Sequence, residues 1–566
     1  MVFIVKKEVK GKKYYYLRKS ERDKKTGKVV ATTIAYLGKT KKVAEEMKKK
    51  YDAKEFKQNK QENKMEEKIS ELKHKEISID EMANFCKRKG FVYASGELYG
   101  GLAGFWDFGH LGSELKNNLK KEWWKYHVHS REDIVGIDGS IITNPKVWEA
   151  SGHVASFVDV AVVCKKCKNK FKADKFEMEK GNAVCEKCGA SGENLENKGE
   201  FNPMFTTQVG PVKEDSILAY LRPETAQLIF ADFKLVQENA RLKLPFGIAQ
   251  QGKSFRNEIA PRNFLFRSRE FEQMEIEYFI DSDKKLECPF KIPDVEILVY
   301  DEKMQKENKE PVKMRLKDAL EKKIIMLPWH AYWLGTELNF FKSLGVNMEN
   351  FRIRQHMKDE KSHYATDTWD LEYKFPFGWK ELQGIADRGI YDLSQHEKFS
   401  KKDLKIVVEE NGEVKKVLPM VVAEPSLGVE RAFLVLMFDA YHENEKNETI
   451  LKLHPKLSPI KVAVFPLVKN DKKIVDLSRE VYNLLKQDWN VLYDSSGSVG
   501  RRYARNDEVG TPFCVTIDGD SLNKNDVTIR DRNTTKQIRV KVSELKNVLR
   551  KLIDGEIEFE SAGKKI

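Results

Sequence analysis

The chain has few cysteines for its length, which limits how it can be stabilised. Seven cysteines among 566 residues are too few for a disulfide scaffold, and four of them stand in CxxC pairs. The sequence contains no run of about 18 apolar residues, so we expect no membrane span. Its N-terminus lacks the basic, apolar and small-residue order of a signal peptide. Together these absences favour a protein of the reducing cytoplasm.

Positive charge is concentrated at one end of the chain. Residues 1–70 hold 22 lysines and arginines against 10 acidic residues, so they carry +12 of the net charge of +13. A basic arm of this kind commonly meets a polyanion such as RNA. A solvated lysine-rich face that only aids solubility is the alternative, and the sequence leaves both open.

Composition and periodicity divide the chain into several parts. The N-terminal part has β-rich runs around the turn signal DKKTG, and the C-terminal part alternates strand, helix and strand, as in a small separate α/β domain. The predicted parts are a basic β-rich module at 1–40, a charged helical linker at 41–80, a mixed α/β domain at 81–455 with insertions at 160–200 and about 281–345, and a further α/β domain with a tail at 456–566.

Two cysteine pairs give the strongest local signal. The CKKC of Cys164 and Cys167 lies 17 residues before the CEKC of Cys185 and Cys188. Two such turns present four thiolates to a tetrahedral ion, which predicts a zinc ribbon within 160–200. Four thiolates leave no open coordination position, so we expect a structural metal. Iron suits the same ligands, and four free thiols are the metal-free alternative.

The stretch FRNEIAPRNFLFRSREFEQME at 255–275 mixes phenylalanines with many charged side chains. We interpret GKSFRNE and FRSREFEQMEIEYFI as two strands joined by IAPRN. Period-two alternation then directs toward a core Met274, Ile276, Tyr278 and Ile280. The opposite face carries Phe271, Gln273, Glu275 and Glu277, and the first strand adds Arg256 and Glu258 on one face. This surface predicts a nucleotide pocket, and a salt-bridged surface hairpin is the alternative.

Several long segments resemble one enzyme family. FRNE with REFEQMEIEYF resembles motif 2 of class II aminoacyl-tRNA synthetases in the glycyl-tRNA synthetase form. IITNPKVWEASGHV, around Pro145, resembles motif 1, and EPSLGVERAFLVLM resembles motif 3. LRPETAQLIF and GWKELQGIADRGIYDL resemble the family's glycine-site and ATP-site segments, and VTIRDRNTTKQIRV resembles its anticodon-binding domain. The resemblance spans about residues 81–550 and is to the homodimeric, archaeal/eukaryotic-like type.

The resemblance implies a multidomain α/β fold of class II type. Its parts would be an antiparallel-sheet catalytic domain with a zinc-ribbon insertion, a C-terminal α/β anticodon-binding domain and a small basic N-terminal arm. It also implies a glycine–tRNA ligase, which forms glycyl-adenylate and pyrophosphate from glycine and ATP and then passes glycine to the 3′ end of tRNA(Gly). The implied partners are ATP, glycine, tRNA(Gly) and a second copy docked through motif 1, with structural Zn²⁺ and ATP-bound Mg²⁺ as cofactors.

The same resemblance implies which residues contact ATP. Arg256 would hold the α-phosphate, Glu258 would accept from the adenine amino group, and Phe271 would stack on the base. Arg431 would hold the terminal phosphate from the mouth of an apolar helix, and Glu381 would bind magnesium. The expected ATP site is Arg256, Asn257, Glu258, Phe266, Phe271, Glu381, Leu382, Gly428 and Arg431, with Arg256 and Arg431 catalytic.

Glycine offers no side chain to grip, so its ammonium and carboxylate must supply the affinity. In the family a cage of carboxylates fits this task, and a bound ammonium would relieve their mutual repulsion. The expected glycine site is Glu224, Phe271, Glu275, Arg388, Glu424 and Ser426. The family has glycine after RPETAQ where this chain has Leu228, and spacing does not decide whether that leucine faces the pocket.

An arginine-rich stretch in the C-terminal part is a candidate RNA contact. SSGSVGRRYARNDEVGTPF concentrates arginines beside glycines, and we expect a flexible turn there. Arginines so placed suit phosphate or base contacts, although the sequence does not identify base-reading residues.

Three rival interpretations remain. GHLGS at 109–113 resembles a class I signature, but no KMSKS partner accompanies it. A non-catalytic synthetase paralogue usually loses residues of motif 2 or 3, whereas Arg256, Glu258 and Arg431 are present. A synthetase for another small amino acid is disfavoured by RPETAQ and GIADR.

Overall fold

The chain divides into two compact units, Met1–Leu72 and Lys73–Ile566. The computed structural model describes residues 2–9, 12–22, 29–38, 72–173, 178, 181, 183–185, 187–212, 214–358, 360, 365–410 and 412–566. In the first unit, the antiparallel strands Val2–Val9, Lys12–Arg22 and Val29–Gly38 form one sheet in that order. The predicted turn DKKTG and residues 41–71 of the predicted linker lie outside the described residues.

The second unit is built around a nine-stranded sheet. Its strands are antiparallel except for two parallel pairs near the edges. The strand order is Val312–Arg315, Glu296–Tyr300, Phe351–Gln355, Asp367–Phe375, Gly378–Asp387, Met420–Gly428, Glu270–Ile280, Phe246–Phe255 and Ile134–Ile137.

Helices cover both faces of this sheet. Pro328–Ser343 and Val429–Ala440 are apolar almost all round and lie in the main core, as expected of helices with no solvent-facing side. Ala226–Ala240 packs with a second apolar cluster on the other face. Among the residues that the structure describes, the other helices of this part are Ile79–Lys89, His110–Trp124, Pro145–Ala150, His153–Ser156, Glu302–Lys306, Leu316–Glu321 and Tyr391–Ser400.

Two of the predicted boundaries fall on well-defined elements. The segment predicted as an insertion at about 281–345 contributes strand Glu296–Tyr300 to the sheet and the buried helix Pro328–Ser343 to the core. Near the predicted linker end at residue 80, a capping box between Ser78 and Glu81 starts helix Ile79–Lys89.

Smaller sheets flank the nine-stranded one. Antiparallel pairs are formed by Val92–Ala94 with Trp106–Phe108, by Thr206–Val209 with Ile217–Tyr220, and by Ile406–Glu410 with Glu413–Val417. A three-stranded sheet joins Thr449–Leu451, Tyr441–Glu443 and Lys73–His74. Another, in the cysteine-bearing segment, joins Leu195–Phe201, Asp159–Cys164 and Lys170–Ala173.

The C-terminal segment has a sheet and an apolar core of its own, as its βαβ pattern predicts. Its strand order is Val491–Tyr493, Val462–Pro466, Phe513–Ile517, Asp526–Asp531, Gln537–Lys541 and Lys564–Lys565. Its helices are Lys472–Leu485, Val499–Glu508, Gly519–Lys524 and Val542–Asp554. Among all described residues, no helix is both long enough and apolar enough to cross a bilayer.

Candidate active site

Two adjoining cavities open on one face of the nine-stranded sheet, over its central strands. The larger has a volume of about 360 Å³ and the smaller about 140 Å³. The larger is lined by nine of the predicted residues, namely Arg256, Glu258, Phe266, Phe271, Glu381, Leu382, Ser426, Gly428 and Arg431. The smaller is lined by Glu224, Glu275 and Glu424 and shares Arg256, Glu381 and Ser426 with the larger. Asn257 lines neither cavity, and its backbone N–H donates to Pro203 O at 2.7 Å.

Alternation along strand Glu270–Ile280 places the charged residues in the site. Met274, Ile276, Tyr278 and Ile280 lie in the main core, which confirms that part of the prediction. The next strand, Met420–Gly428, pairs Ser426 with Glu275 and Gly428 with Gln273. Because directly paired residues point to the same side of a sheet, both strands present polar groups to the cavities.

The strand before this one differs from the prediction. It runs from Phe246 to Phe255, so Arg256 and Glu258 lie in the following loop and not on the strand. The ladder ends there because the Asn257 N–H turns to Pro203 and because Pro261 has no N–H to donate. The loop then passes through Asn263 and Phe264, whose φ angles are 56° and 54°.

Arg256 is held over the larger cavity by backbone and aromatic contacts. Its Nε donates to Pro223 O at 3.0 Å, and its guanidinium lies 5.5 Å from the Phe271 ring centre and 5.6 Å from that of Phe157. A planar cation fixed in this way keeps its remaining N–H groups free to meet an anion such as phosphate.

Arg431 and Glu381 face each other in the larger cavity. Arg431 lies in the first turn of helix Val429–Ala440, 4.6 Å from the Phe266 ring centre. One guanidinium nitrogen donates to Glu381 O at 3.0 Å and lies 3.2 Å from Glu381 Oε2. The Arg431 charge lowers the pKa of Glu381, whose side chain is 50% exposed. Glu381 is therefore an anion accessible to a ligand.

The smaller cavity is floored by carboxylates. Glu224 is 8% exposed and lies 3.3 Å from His153 Nε2. Burial alone would raise the pKa of Glu224, but the charges of His153, Arg388 and Arg256 outweigh burial and hold it well below its usual range. Glu224 is thus ionised at neutral pH despite being buried.

Glu275 is the second carboxylate of this floor. It is 2% exposed and accepts a short hydrogen bond from the Thr225 hydroxyl. Burial and the neighbouring Glu224 charge raise the pKa of Glu275, although hydrogen bonds from Ser426 and Thr225 oppose this. A cation placed between Glu224 and Glu275 would therefore be strongly favoured.

Arg388 organises the third carboxylate. Its guanidinium makes two 2.8 Å hydrogen bonds to Asp392 and one of 2.7 Å to Glu424 Oε1. The side chain is 1% exposed and lies 5.3 Å from the Phe230 ring centre. Arg388 lines neither cavity, so it orients Glu424 from behind instead of facing the cavity itself.

Leu228 lies outside both cavities. It is 7% exposed on helix Ala226–Ala240, and a Cβ built on Gly139 would stand 2.7 Å from its Cδ1. The leucine therefore packs against the Gly139 backbone, where only glycine leaves room. This placement resolves the question that spacing left open, since the leucine does not narrow either cavity.

Several residues of the site were missed by sequence reasoning. Thr225 directly follows Glu224 in the sequence. This position was the one signal from which a contact between its hydroxyl and a carboxylate of the site could have been predicted. Gln273, which the alternation already placed on the polar face, donates to Ser426 Oγ at 3.3 Å. His356 was not predicted, and its Nε2 lies 2.8 Å from Asp370 at the smaller cavity. No sequence motif marked His356 or Asp370, because their proximity arises only from strand pairing.

The four paired cysteines come together in the cysteine-bearing segment. Their sulfur atoms all lie within 4.8 Å of one another, with 3.6 Å from Cys164 to Cys188 and from Cys167 to Cys185. Both CxxC turns close in the same way, because the N–H groups of Lys168 and Gly189 donate at 2.8 Å to the carbonyls of the first cysteine of each turn. A tetrahedron of sulfurs about 2.3 Å from zinc has edges of about 3.8 Å, so this donor set fits that ion.

The arginines of the C-terminal stretch lie on a helix that directly follows a bend at Ser496 and Gly497. Val499–Glu508 is regular, and Arg502 is 2% exposed with a 2.6 Å hydrogen bond to Pro466 O. Arg530 is also buried, where it makes a bidentate pair with Asp507 at 2.8 and 2.9 Å. Burial makes Arg502 a structural group, whereas Arg501 and Arg505 of this stretch stay exposed.

Comparisons with known proteins identify relatives of this chain. A family model described as an anticodon binding domain matches residues 461–552. A glycine–tRNA ligase of Clostridium kluyveri is 43% identical over 507 residues, which cover 84% of this chain and 99% of that protein. One of Streptomyces coelicolor is 43% identical over 494 residues, with 83% and 97% covered.

A solved structure of much lower sequence identity also aligns with this chain. The crystal structure of prolyl-tRNA synthetase from Cryptosporidium parvum, complexed with L-proline and AMP, aligns with a TM-score of 0.48 and 15% identity over 84% of this chain and 75% of that one. A likeness at this level supports no conclusion by itself. The identity of 43% with the curated relatives, over most of this chain and nearly all of each relative, is decisive, and the chain belongs to the glycine–tRNA ligase family.

Proposed function

We propose that the two adjoining cavities are the ATP and glycine sites of a glycine–tRNA ligase. The observation that carries the proposal is the chemical division between them. The larger cavity is lined by the arginines Arg256, Arg267 and Arg431, whereas the smaller, of about 140 Å³, is lined by the buried carboxylates of Glu224, Glu275, Glu424 and Asp370. A triphosphate needs fixed positive charge, and a small ammonium ligand needs the opposite.

In this assignment the larger cavity holds ATP. Arg256 binds the α-phosphate, where charge develops as the new bond forms, and Arg431 binds the terminal phosphate. Phe271 stacks on the adenine and Glu258 accepts from its amino group. Asn257 acts only through its backbone, because it lines neither cavity.

Glycine occupies the smaller cavity. Glu224, Glu275 and Glu424 hold its ammonium, so the nitrogen stays protonated and the carboxylate is the nucleophile. A glycine carboxylate oxygen attacks the α-phosphorus, the bond to the bridging oxygen breaks, and pyrophosphate leaves. The hydroxyl at the tRNA 3′ end then attacks the glycyl carbonyl and AMP leaves. The protein contributes positioning and charge to both steps, not a nucleophile of its own.

Two metals complete the proposal. Glu381 is a half-exposed anion at the larger cavity, which suits Mg²⁺ bound through one carboxylate and the ATP phosphates. Such an ion neutralises phosphate charge when ATP is bound. Cys164, Cys167, Cys185 and Cys188 would hold a structural Zn²⁺, and thiolates of this kind suit the reducing cytoplasm. A homodimer through the segment around Pro145 belongs to the same proposal.

Amino-acid-dependent exchange of pyrophosphate into ATP tests this assignment. We expect exchange with glycine and little with alanine or serine, and we expect Glu275→Gln to lose at least about tenfold because one charge-assisted contact is removed. Exchange with none of the three amino acids would favour a non-catalytic paralogue. Exchange with alanine or serine equal to that with glycine would contradict the glycine site.

A further inference from the structure

A further carboxylate lies next to the smaller cavity and has no part in the mechanism above. Glu277 follows Glu275 on the same face of strand Glu270–Ile280, is 0% exposed and lines neither cavity. Among the residues that the structure describes, neither of its carboxylate oxygens has a hydrogen-bond partner. A buried carboxylate without donors is costly, so this group calls for an explanation.

The surroundings of Glu277 are crowded with negative charge. One carboxylate oxygen from each of Glu275, Glu277 and Glu424 lies within 4.8 Å of the others. The charged and titratable groups facing this cluster are Glu224, Glu275, Arg388, Asp392 and Glu424. Arg388 is the single cation of that set, and its N–H groups are directed at Asp392 and Glu424. Glu277 receives none of them in hydrogen-bond geometry.

Glu424 and Glu277 therefore differ in which protonation state their contacts support. Burial raises the pKa of Glu424 well above its usual range, and the Arg388 guanidinium, which donates to Glu424 Oε1, opposes this rise and favours the carboxylate form. Glu277 receives no hydrogen bond from any described donor, and the nearby carboxylates of Glu275 and Glu424 favour the form that can donate. Burial first, and then the Glu424 charge, raise the pKa of Glu277 well above its usual range.

We propose that Glu277 is a permanently protonated carboxylic acid that donates its proton toward Glu424 and so positions the Glu424 carboxylate for the glycine ammonium. A gap of up to 4.8 Å is closed by one bridging water or by a small side-chain rotation. Glu277 is then a positioning residue and not a fourth member of the cage. The inference rests on the proposed glycine site, since Glu424 has this task only if glycine binds there.

The first test compares two variants of Glu277 in glycine-dependent pyrophosphate exchange. Glu277→Gln keeps a neutral donor of the same shape, and we expect its KM for glycine to stay within about threefold of the wild-type value. Glu277→Leu removes the donor at similar volume, and we expect the KM for glycine to rise at least about tenfold with a smaller change in kcat. The KM for ATP and the thermal midpoint of each variant report whether it is folded.

Glu424→Gln is the matched control, because it neutralises the carboxylate that is proposed to touch glycine. If Glu277→Gln weakens glycine use as much as Glu424→Gln does, Glu277 works as a charged group and the inference is wrong. If Glu277→Leu behaves like Glu277→Gln, no donor is needed and the inference is also wrong. If Glu275→Gln and Glu424→Gln both keep the wild-type KM for glycine, the proposed glycine site itself fails.

Infrared spectroscopy tests the protonation without relying on glycine. We expect the difference spectrum of wild-type protein minus Glu277→Gln at pH 8 to contain the carbonyl band of a protonated carboxylic acid. A carboxylate band in its place would show that Glu277 is ionised and would overturn the inference. Because this readout needs no substrate, it separates failure of the inference from failure of the glycine site.

Discussion

At the residue scale, each carboxylate that lines the smaller cavity contacts a second polar side chain. Glu224 has His153 behind it, Glu275 has Thr225, and Glu424 has Arg388. Each partner fixes one carboxylate rotamer, and fixed rotamers are what make a small cage selective. The family resemblance predicted the three carboxylates and Arg388 as site residues. It did not predict His153 or Thr225.

Thr225 provides a direct test of this support. Thr225→Val keeps the shape of the side chain but removes the hydroxyl that donates to Glu275. Because a hydrogen bond to a charged group contributes about 1.5–3 kcal/mol, we expect the KM for glycine to rise about tenfold or more. Steady-state pyrophosphate exchange against glycine concentration measures this. Thr225→Ser, which retains the hydroxyl, should stay near wild type, and an equal loss in both variants would contradict the role.

At the element scale, two short segments depend on specific side-chain chemistry. The cysteine-bearing segment has a small apolar cluster in which the four cysteines themselves take part. Such a small cluster supplies little stability alone, so a metal is the expected source of the rest. The other segment lies between Leu451 and Lys461 and contains His454. It connects the part built on the nine-stranded sheet, here called the catalytic sheet, to the C-terminal sheet.

We expect about one zinc per chain in the purified protein, because four thiolates at these separations match one tetrahedral ion. Elemental analysis of the metal-to-protein ratio measures this and distinguishes zinc from iron. Cys185→Ser should lose the metal and lower the thermal midpoint, whereas Cys288→Ser, outside the cluster, should keep it. Metal-free protein with an unchanged midpoint after chelation would contradict the zinc ribbon.

His454 should make the folded state sensitive to acid. Burial lowers its pKa to about 4, and its Nδ1 accepts from the Lys456 N–H at 3.2 Å, which only the neutral ring can do. The unfolded chain binds a proton near the ordinary pKa of 6.5, so stability is complete above that pH and is lost as pH falls toward 4. The loss is at most about 3 kcal/mol.

His454→Asn keeps an acceptor but does not titrate. Urea unfolding at pH 7.5 and at pH 5 should show a smaller difference in unfolding free energy for this variant than for the wild type. Burial also lowers the pKa of His442 to about 4, so His442 contributes to the pH dependence of the unfolding free energy in both proteins. Identical differences in the two proteins would mean that His454 is not held neutral.

At the scale of the whole molecule, the catalytic sheet and the C-terminal sheet have separate apolar cores within one compact unit. The proposed glycine and ATP sites lie on the catalytic sheet, and the family model of an anticodon binding domain matches the C-terminal part. A change on the exposed surface of the second should therefore affect RNA-dependent steps alone.

Arg501→Ala tests this division, because Arg501 is exposed on helix Val499–Glu508. We expect glycine-dependent pyrophosphate exchange to stay unchanged, while charging of tRNA(Gly) weakens and the slope of log affinity against log salt falls by about one contact. Filter binding at several salt concentrations measures the slope. Arg550→Ala, on helix Val542–Asp554, is the control, and equal slopes in both variants would contradict an RNA role for Arg501.

The sequence by itself determined the family, the alternating face of strand Glu270–Ile280, the candidate carboxylates and the paired cysteines. These depend on residue type at short spacing, where period-two alternation and motif order operate. Only the tertiary structure decided that Leu228 packs away from the cavities, that Arg502 and Arg530 are buried, and that segment 281–345 belongs to the main sheet. It also decided that Glu277 lies next to the smaller cavity without a described donor. These outcomes depend on contacts between strands and helices that are far apart in the sequence. Local composition does not predict such contacts.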